Sequence, residues 1–396
     1  MDGIGVGDRS GMRQQSIVRG TILYGLPVFA YMYTVGSVGF WLPLYVRIHG
    51  FSYLEVQLLA TVYFLVITPS TLLVGKLGDR SEHPNRIVAA GMILNALAVV
   101  LMAHITESIP LMGVRVIQAI GLSTSFPIAL GALSLYLGVS RGVGSNAFMM
   151  ATGMAAGSII GGVLIELAGF EWMFYSAVII SLLAALLSLA TDFPKVKTGT
   201  GLIESLKKVP ASVWVVLVGL LLRNTLATGV YSILAILFNQ ILGLSLLETA
   251  IALAVNPIVQ AMASLYVADK VKHRELHFYS IAIASTSLVF ILYYYTRSIE
   301  LAIIAQILQG VTFAVINVAG NVYIISRIPE TERYTASSLF NFAFNLGWVV
   351  GTVIAGLVMN AYGPIQWLKI AIILLPIVGL ATFIAGKKLE GTSRVP

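Results

Sequence analysis

No cysteine occurs in the 396 residues, which excludes disulfides, thiol nucleophiles and thiolate-ligated metals and leaves the redox compartment unreadable. Charge is nearly as scarce. Asp, Glu, Lys and Arg make up 10% of the chain, where soluble domains carry about 25%. With 58% hydrophobic residues and a mean hydropathy of +0.91, too little polar surface remains to coat a water-soluble core. The chain reads as an integral membrane protein. Acids are missing at depth, since none of the 17 Asp and Glu falls in the middle of a long apolar run. HExxH and paired aspartates within an apolar run are absent, and with them the chemistry of an intramembrane enzyme. GxxxxGK[ST] is absent, and with it an ATP-driven pump. The five histidines, His49, His83, His104, His273 and His277, fall in loops or at helix ends. The expectation is a protein that is not an enzyme and holds no metal or bound cofactor.

What the chain has in excess is long apolar runs. A helix of about 20 apolar residues crosses ~30 Å of hydrocarbon, and twelve segments qualify: 20–45, 53–75, 86–105, 109–137, 146–168, 171–191, 211–237, 247–268, 277–296, 299–326, 336–359 and 365–386. Barrel strands would be about half as long and would alternate, so the expected fold is all-α. The first run is too long for a signal h-region and has no small-residue cleavage site; it reads as a retained helix. Lys and Arg stay on the cytoplasmic side. With the amino terminus inside, nineteen of the 24 fall on cytoplasmic segments, and only Arg47, Arg297 and Lys369 fall outside. Both termini are therefore expected in the cytoplasm, and the compact loops and short termini suit a plasma membrane. The net charge of +7 then faces anionic headgroups and requires no nucleic acid. The expected organisation is an arm at 1–19, a six-helix bundle at 20–191, a basic linker at 192–210, a second bundle at 211–386 and a tail at 387–396.

The two bundles repeat. Asp79-Arg80 aligns with Asp269-Lys270 at an offset of 190. Arg115-x-x-Gln118 aligns with Gln306-x-x-Gln309 at 191, and Gly153, Gly157, Gly162 and Gly169 align with Gly347, Gly351, Gly356 and Gly363 at 194. These residues also carry a resemblance, spanning essentially the whole chain, to the major facilitator superfamily. GKLGDR, from Gly75 to Arg80, resembles its signature at the cytoplasmic end of the second helix. R115-V-I-Q118 resembles the fourth-helix motif of proton-coupled drug exporters. G153-M-A-A-G157-S-I-I-G161-G162 resembles the antiporter motif GxxxGPxxGG, with Ser158 at the proline position. The resemblance implies two pseudo-symmetric six-helix bundles, a proton gradient as driving force, a monomer, a gating role for Asp79 and a part for Arg115 in proton coupling.

Arg115 and Gln118, one turn apart, and Arg223 with Asn224, near the midplane of the seventh run, are the candidate substrate or coupling groups. An arginine at mid-bilayer costs at least ~2.5 kcal/mol on insertion scales, and the bland alternative is a guanidinium pinned by amides and carbonyls that joins helices. Tyr231 follows Arg223 by two turns. Asn256/Gln260, Asn317/Asn321 and Asn341/Asn345 are i,i+4 pairs, each on one helix face, and either line a wet cleft or join helices. Tyr24, Tyr31, Tyr33 and Trp41 offer aromatic walls, as packing or as ligand contacts. Asp79, Arg80 and Arg141, with Asp269 in the repeat, suit a charge latch on the cytoplasmic side. The glycine steps at Gly153, Gly157, Gly161, Gly162, Gly347 and Gly351 make flat faces for close packing, expected at the interface between the bundles. Glu166 is the acid within an apolar run, near its outer end. Three readings follow for a small-molecule substrate: a proton-coupled exporter of drug-like solutes, an organic-anion carrier with Arg115 and Arg223 as counter-charges, and, least favoured, an intramembrane enzyme.

Overall fold

The computed structural model describes residues 6–194, 209–271, 273–327 and 333–392, and every regular element among them is helical. Twelve helical segments are long and apolar enough to span a bilayer: α1 (Val18–Ile48), α2 (Tyr53–Gly75), α3 (Pro84–Met102), α4 (Ser108–Leu137), α5 (Gly144–Ala168), α6 (Phe170–Leu189), α7 (Ala211–Tyr231), α8 (Leu246–Val267), α9 (Glu275–Tyr295), α10 (Ile299–Ile324), α11 (Leu339–Tyr362) and α12 (Pro364–Glu390). Large apolar side chains lie on the outside, among them Ile109, Leu167 and Leu265, as lipid contact requires. Residues 195–208 of the expected linker and 393–396 of the expected tail lie outside the described residues. The arm is not a separate element, because helix begins at Val6 and runs into α1. At the other end, helix continues to Thr392.

Local sequence explains several boundaries. Ser52 and Ser245 cap α2 and α8, and each forms a reciprocal box with the acid three residues on, Glu55 or Glu248. Such caps stabilise a helix start by about 1 kcal/mol. Gly169 and Gly363 turn the chain at φ 95° and 84°, values that favour glycine, at matching points of the two halves. Three runs are less regular than hydropathy suggests. In α1 the helix Val6–Thr34 passes through a π-helix at Val35–Gly39 before Phe40–Ile48. Here the Ser37 hydroxyl donates to the Tyr33 carbonyl at 2.7 Å, a back-bond that competes with the regular ladder. In α4 the helix is interrupted at Thr124, whose hydroxyl donates to Gly121 O at 2.9 Å. The seventh run, expected to be helical to 237, stops at Tyr231 and resumes as Leu234–Ile236 and a π-helix at Leu237–Ile241.

Packing follows the repeat. α1 packs on α5 as α7 does on α11; α2 on α4 as α8 on α10; α3 on α6 as α9 on α12. The bundles meet through α2 on α11 and α5 on α8, and these two crossings are themselves related by the repeat. The glycine steps are placed differently from the expectation. Gly153 and Gly157 lie against Phe29 and Tyr33 of α1, and Gly347 and Gly351 against α7 at Asn224 and Thr225. They close contacts within each bundle, where a Cβ would strike the backbone of the neighbouring helix. Gly161 rests on Trp41 of the same bundle, while Gly162 meets Ala250 of α8 and Gly356 meets Gln57 of α2. Only the last step of each ladder reaches across.

Candidate functional site

A cleft lies between the bundles. Its wall includes Val35, Gly39 and Phe40 from the irregular part of α1, Leu59, Tyr63 and Phe64 from α2, Arg115, Gln118 and Leu122 from α4, Tyr231 and Ser232 from the break in α7, and Trp348 from α11. Apolar and aromatic groups dominate, and Arg115 is the one charged residue among those that line it. Phe64 and Trp348 stack across the two bundles with ring centroids 4.5 Å apart and planes at 29°.

Arg115 is 7% exposed and is held by neutral groups. Its Nη1 donates to Gln118 Oε1, its Nε reaches Leu59 O at 3.4 Å, and its guanidinium carbon lies 4.4 Å from the Tyr63 ring centroid. The i,i+3 spacing puts Arg115 and Gln118 on one face of α4. Tyr31, half-buried, packs beside Tyr63 one layer back. Arg223 is 1% exposed. Its Nη1 donates to Asn224 Oδ1 at 2.9 Å and its Nη2 to Tyr231 Oη at 3.0 Å, while Phe313 presents its ring at 5.3 Å. Asn224 in turn donates to Phe344 O at 3.0 Å. Arg223 is thus not in the cleft wall; it stands one side chain behind it, in contact with Tyr231, which is.

Other expected contributors are placed elsewhere. Asn256, Gln260, Asn317 and Asn345 are half-buried but do not line this cleft. Asn317 donates to Phe313 O and Asn321 to Asn317 O, both at 2.9 Å, so their amides serve the preceding turn of their own helix. The aromatic wall is also redrawn. Tyr33 donates to Ser176 Oγ at 2.9 Å and Trp41 Nε1 to Ser158 O at 3.2 Å, and Tyr24 packs on Phe193. The rings that line the cleft are instead Phe40, Tyr63, Phe64, Tyr231 and Trp348. Among the latch candidates, Arg141 is exposed and Gly75 faces Pro127; the side chains of Asp79, Arg80 and Asp269 lie outside the described set. Glu166 is exposed.

Above the cleft, at the end of the molecule away from both termini, a group with no sequence signature joins the bundles. Gln57 is buried; its Nε2 donates to Gly229 O at 2.8 Å and its Oε1 accepts from Ser232 Oγ at 2.7 Å. Those partners are the ones freed by the break in α7, which explains how the helix stops there without leaving a buried carbonyl unsatisfied. Thr61 and Thr352 hydroxyls meet at 2.7 Å, and Ser158 Oγ donates to Ala250 O at 3.3 Å.

Comparison with known proteins agrees with this architecture. A bacterial homologue of the human lysosomal transporter Spinster, in an inward-facing and occupied conformation, superposes with a TM-score of 0.80 at 14% identity, over 97% of this chain and 98% of that one. The nucleoside transporter NupG gives 0.76 at 14% identity, over 96% and 100%. By sequence, the riboflavin transporter RibZ of Clostridioides difficile (strain 630) is 27% identical over 138 residues, 34% of this chain and 30% of that one. The tetracenomycin C resistance and export protein of Streptomyces glaucescens is 31% identical over 140 residues, 34% and 25% respectively. Those two matches therefore span less than a third of either relative. The sequence profile described as Major Facilitator Superfamily matches residues 25–296 and 266–393, essentially the whole twelve-helix body, and the chain belongs to that superfamily of membrane transporters.

Proposed function

We propose that this protein is a secondary active exporter that carries a planar, amphipathic organic solute through the central cleft by alternating access, driven by a proton gradient. The observation that supports it most is the make-up of the cleft: one polar corner, Arg115 with Gln118, set in an aromatic wall whose Phe64–Trp348 pair bridges the two bundles. Pockets of this kind, mostly apolar with a few placed polar groups, bind organic solutes, and a site formed by both bundles changes its access when they rock. Two relatives carry names that refer to ring-bearing organic molecules, riboflavin and tetracenomycin C, a class that suits a wall rich in aromatic side chains. The motif at Arg115 and Gln118 and the glycine motif from Gly153 to Gly162 support proton coupling and export through their resemblance to antiporters. Asp79, Arg80, Arg141 and Asp269 are assigned to the cytoplasmic gate, and the positive-inside bias assigns both termini to the cytoplasm of a plasma-membrane monomer.

The test is flux of a fluorescent flavin or tetracyclic dye in proteoliposomes under an imposed pH gradient. Flux stimulated by the gradient and lowered about tenfold by Trp348→Ala or Arg115→Ala is expected, each change removing roughly 1.4 kcal/mol of binding. A flux indifferent to the gradient refutes proton coupling, and wild-type flux in both variants refutes the site.

A further inference from the structure

Among the polar side chains that line the cleft, Arg115 and Gln118 keep donors to spare. Arg115 Nη1 and Nε are occupied by Gln118 and Leu59 O, while its Nη2 makes no hydrogen bond with any described residue. Gln118 turns its Oε1 to the arginine, which leaves its amide NH2 as a second donor. Tyr231 lines the cleft, and its hydroxyl oxygen accepts from Arg223 Nη2, which ties Arg223 to the wall. Among the described residues no carboxylate answers these groups. Arg115 and Arg223 stay protonated in any protein environment, and every partner recorded for either is neutral. Arg223 Nε is moreover buried with no hydrogen-bond partner among the described residues. The nearest acid on α2, Glu55, is engaged by the Ser52 cap, and Glu166 is exposed. Two uncompensated guanidiniums in a low-dielectric interior form an arrangement that a bound anion stabilises and a bound cation opposes.

We infer that the transported solute is an organic anion: a flat aromatic body against Phe64 and Trp348, with a carboxylate or an ionised phenol taken by Arg115 Nη2 and the Gln118 amide. Arg223 acts through Tyr231. It does not touch the solute; it bonds a tyrosine of the wall and adds a second positive charge behind it. This rests on the cleft being the solute site, and it deepens that reading by assigning the charge that the site selects.

The test uses the full chain in detergent and three probes of one shape, anthracene bearing a carboxylate, a hydroxymethyl or an aminomethyl group, with binding measured by equilibrium dialysis. A charge-assisted hydrogen bond is about twice as strong as a neutral one, so the carboxylate is expected to bind about tenfold more tightly than the alcohol and the ammonium more weakly than either. Arg115→Gln is expected to weaken the carboxylate most and bring carboxylate and alcohol to within about threefold, and Arg115→Lys to restore part of the preference. Arg223→Gln is expected to reduce the preference by about threefold through the lost second charge. Equal binding of all three probes to the unaltered protein, or a preference for the ammonium, overturns the inference and leaves the aromatic site standing. If Arg115→Gln weakens all three alike, the arginine is architectural and the inference also falls. Binding by none of the three removes the aromatic-solute reading itself.

Discussion

The repeat makes the two crossings between the bundles copies of one another, yet they are built from different material. Where α2 meets α11 and the end of α7, the contact is polar: Gln57 bonds Gly229 and Ser232, and Thr61 bonds Thr352. Where α5 meets α8, the position equivalent to Gln57 is Ala250, and it fits against Gly162 with one long hydrogen bond, Ser158 to Ala250 O at 3.3 Å. Hydrogen bonds with fixed geometry are made or broken; a methyl against a glycine tolerates sliding. This contrast predicts that the polar crossing acts as a catch and the dry one as a pivot, with parting of this end starting at α2 and α11.

The largest expected effect attacks the pivot. A side chain at Gly162 strikes Ala250 and Trp41, and Gly162→Leu is expected to cost about 3 kcal/mol of overpacking, a fall of roughly 100-fold in the population sealed at this end. The measurement is the rate at which a membrane-impermeant maleimide alkylates Ala60→Cys, on the cleft wall and outside the hub, a reporter that needs no other change because the chain has no cysteine. Next comes Gln57→Ala, which removes both bonds of the hub; about 2 kcal/mol corresponds to a rise of roughly 30-fold in alkylation. Thr61→Val removes one hydroxyl from a pair whose other member still donates to Trp348 O at 2.8 Å, and about 1 kcal/mol gives a rise of roughly fivefold. Ser158→Ala is expected to be smallest, about twofold, because its bond is long and its neighbours are apolar. An order with Ser158→Ala above Gln57→Ala exchanges the roles of the two crossings.

The twelve spans were legible because lipid imposes length and hydropathy on each one separately. The pairing of Arg115 with Gln118 was legible for a similar reason, since i,i+3 spacing on a helix fixes a shared face. What α4 faced was not legible, nor was Tyr231 as the link from Arg223 to the cleft, because those depend on how helices rotate against each other. The amide pairs illustrate the limit. The i,i+4 spacing of Asn317 and Asn321 correctly puts them on one face, but it cannot say that each amide bonds its own backbone. Gln57 carried no signal at all: a lone glutamine near a helix start belongs to no motif, and its partners exist only because α7 breaks far away in sequence. Trp348 likewise matters through its stacking on Phe64, a contact between residues in opposite halves.

The repeat also pairs Arg115 with Gln306, a buried residue whose amide atoms have no partner among the described residues. A symmetric dimer of one bundle is bound to present the same side chain twice across its axis. Two copies of the amino-terminal bundle would set two guanidiniums in the cleft wall, and two copies of the carboxy-terminal bundle would set none there, only Arg223 twice behind it. A single arginine at the centre is available only to a chain whose halves are covalently joined and free to diverge, which makes the fusion itself a determinant of what the cleft can hold.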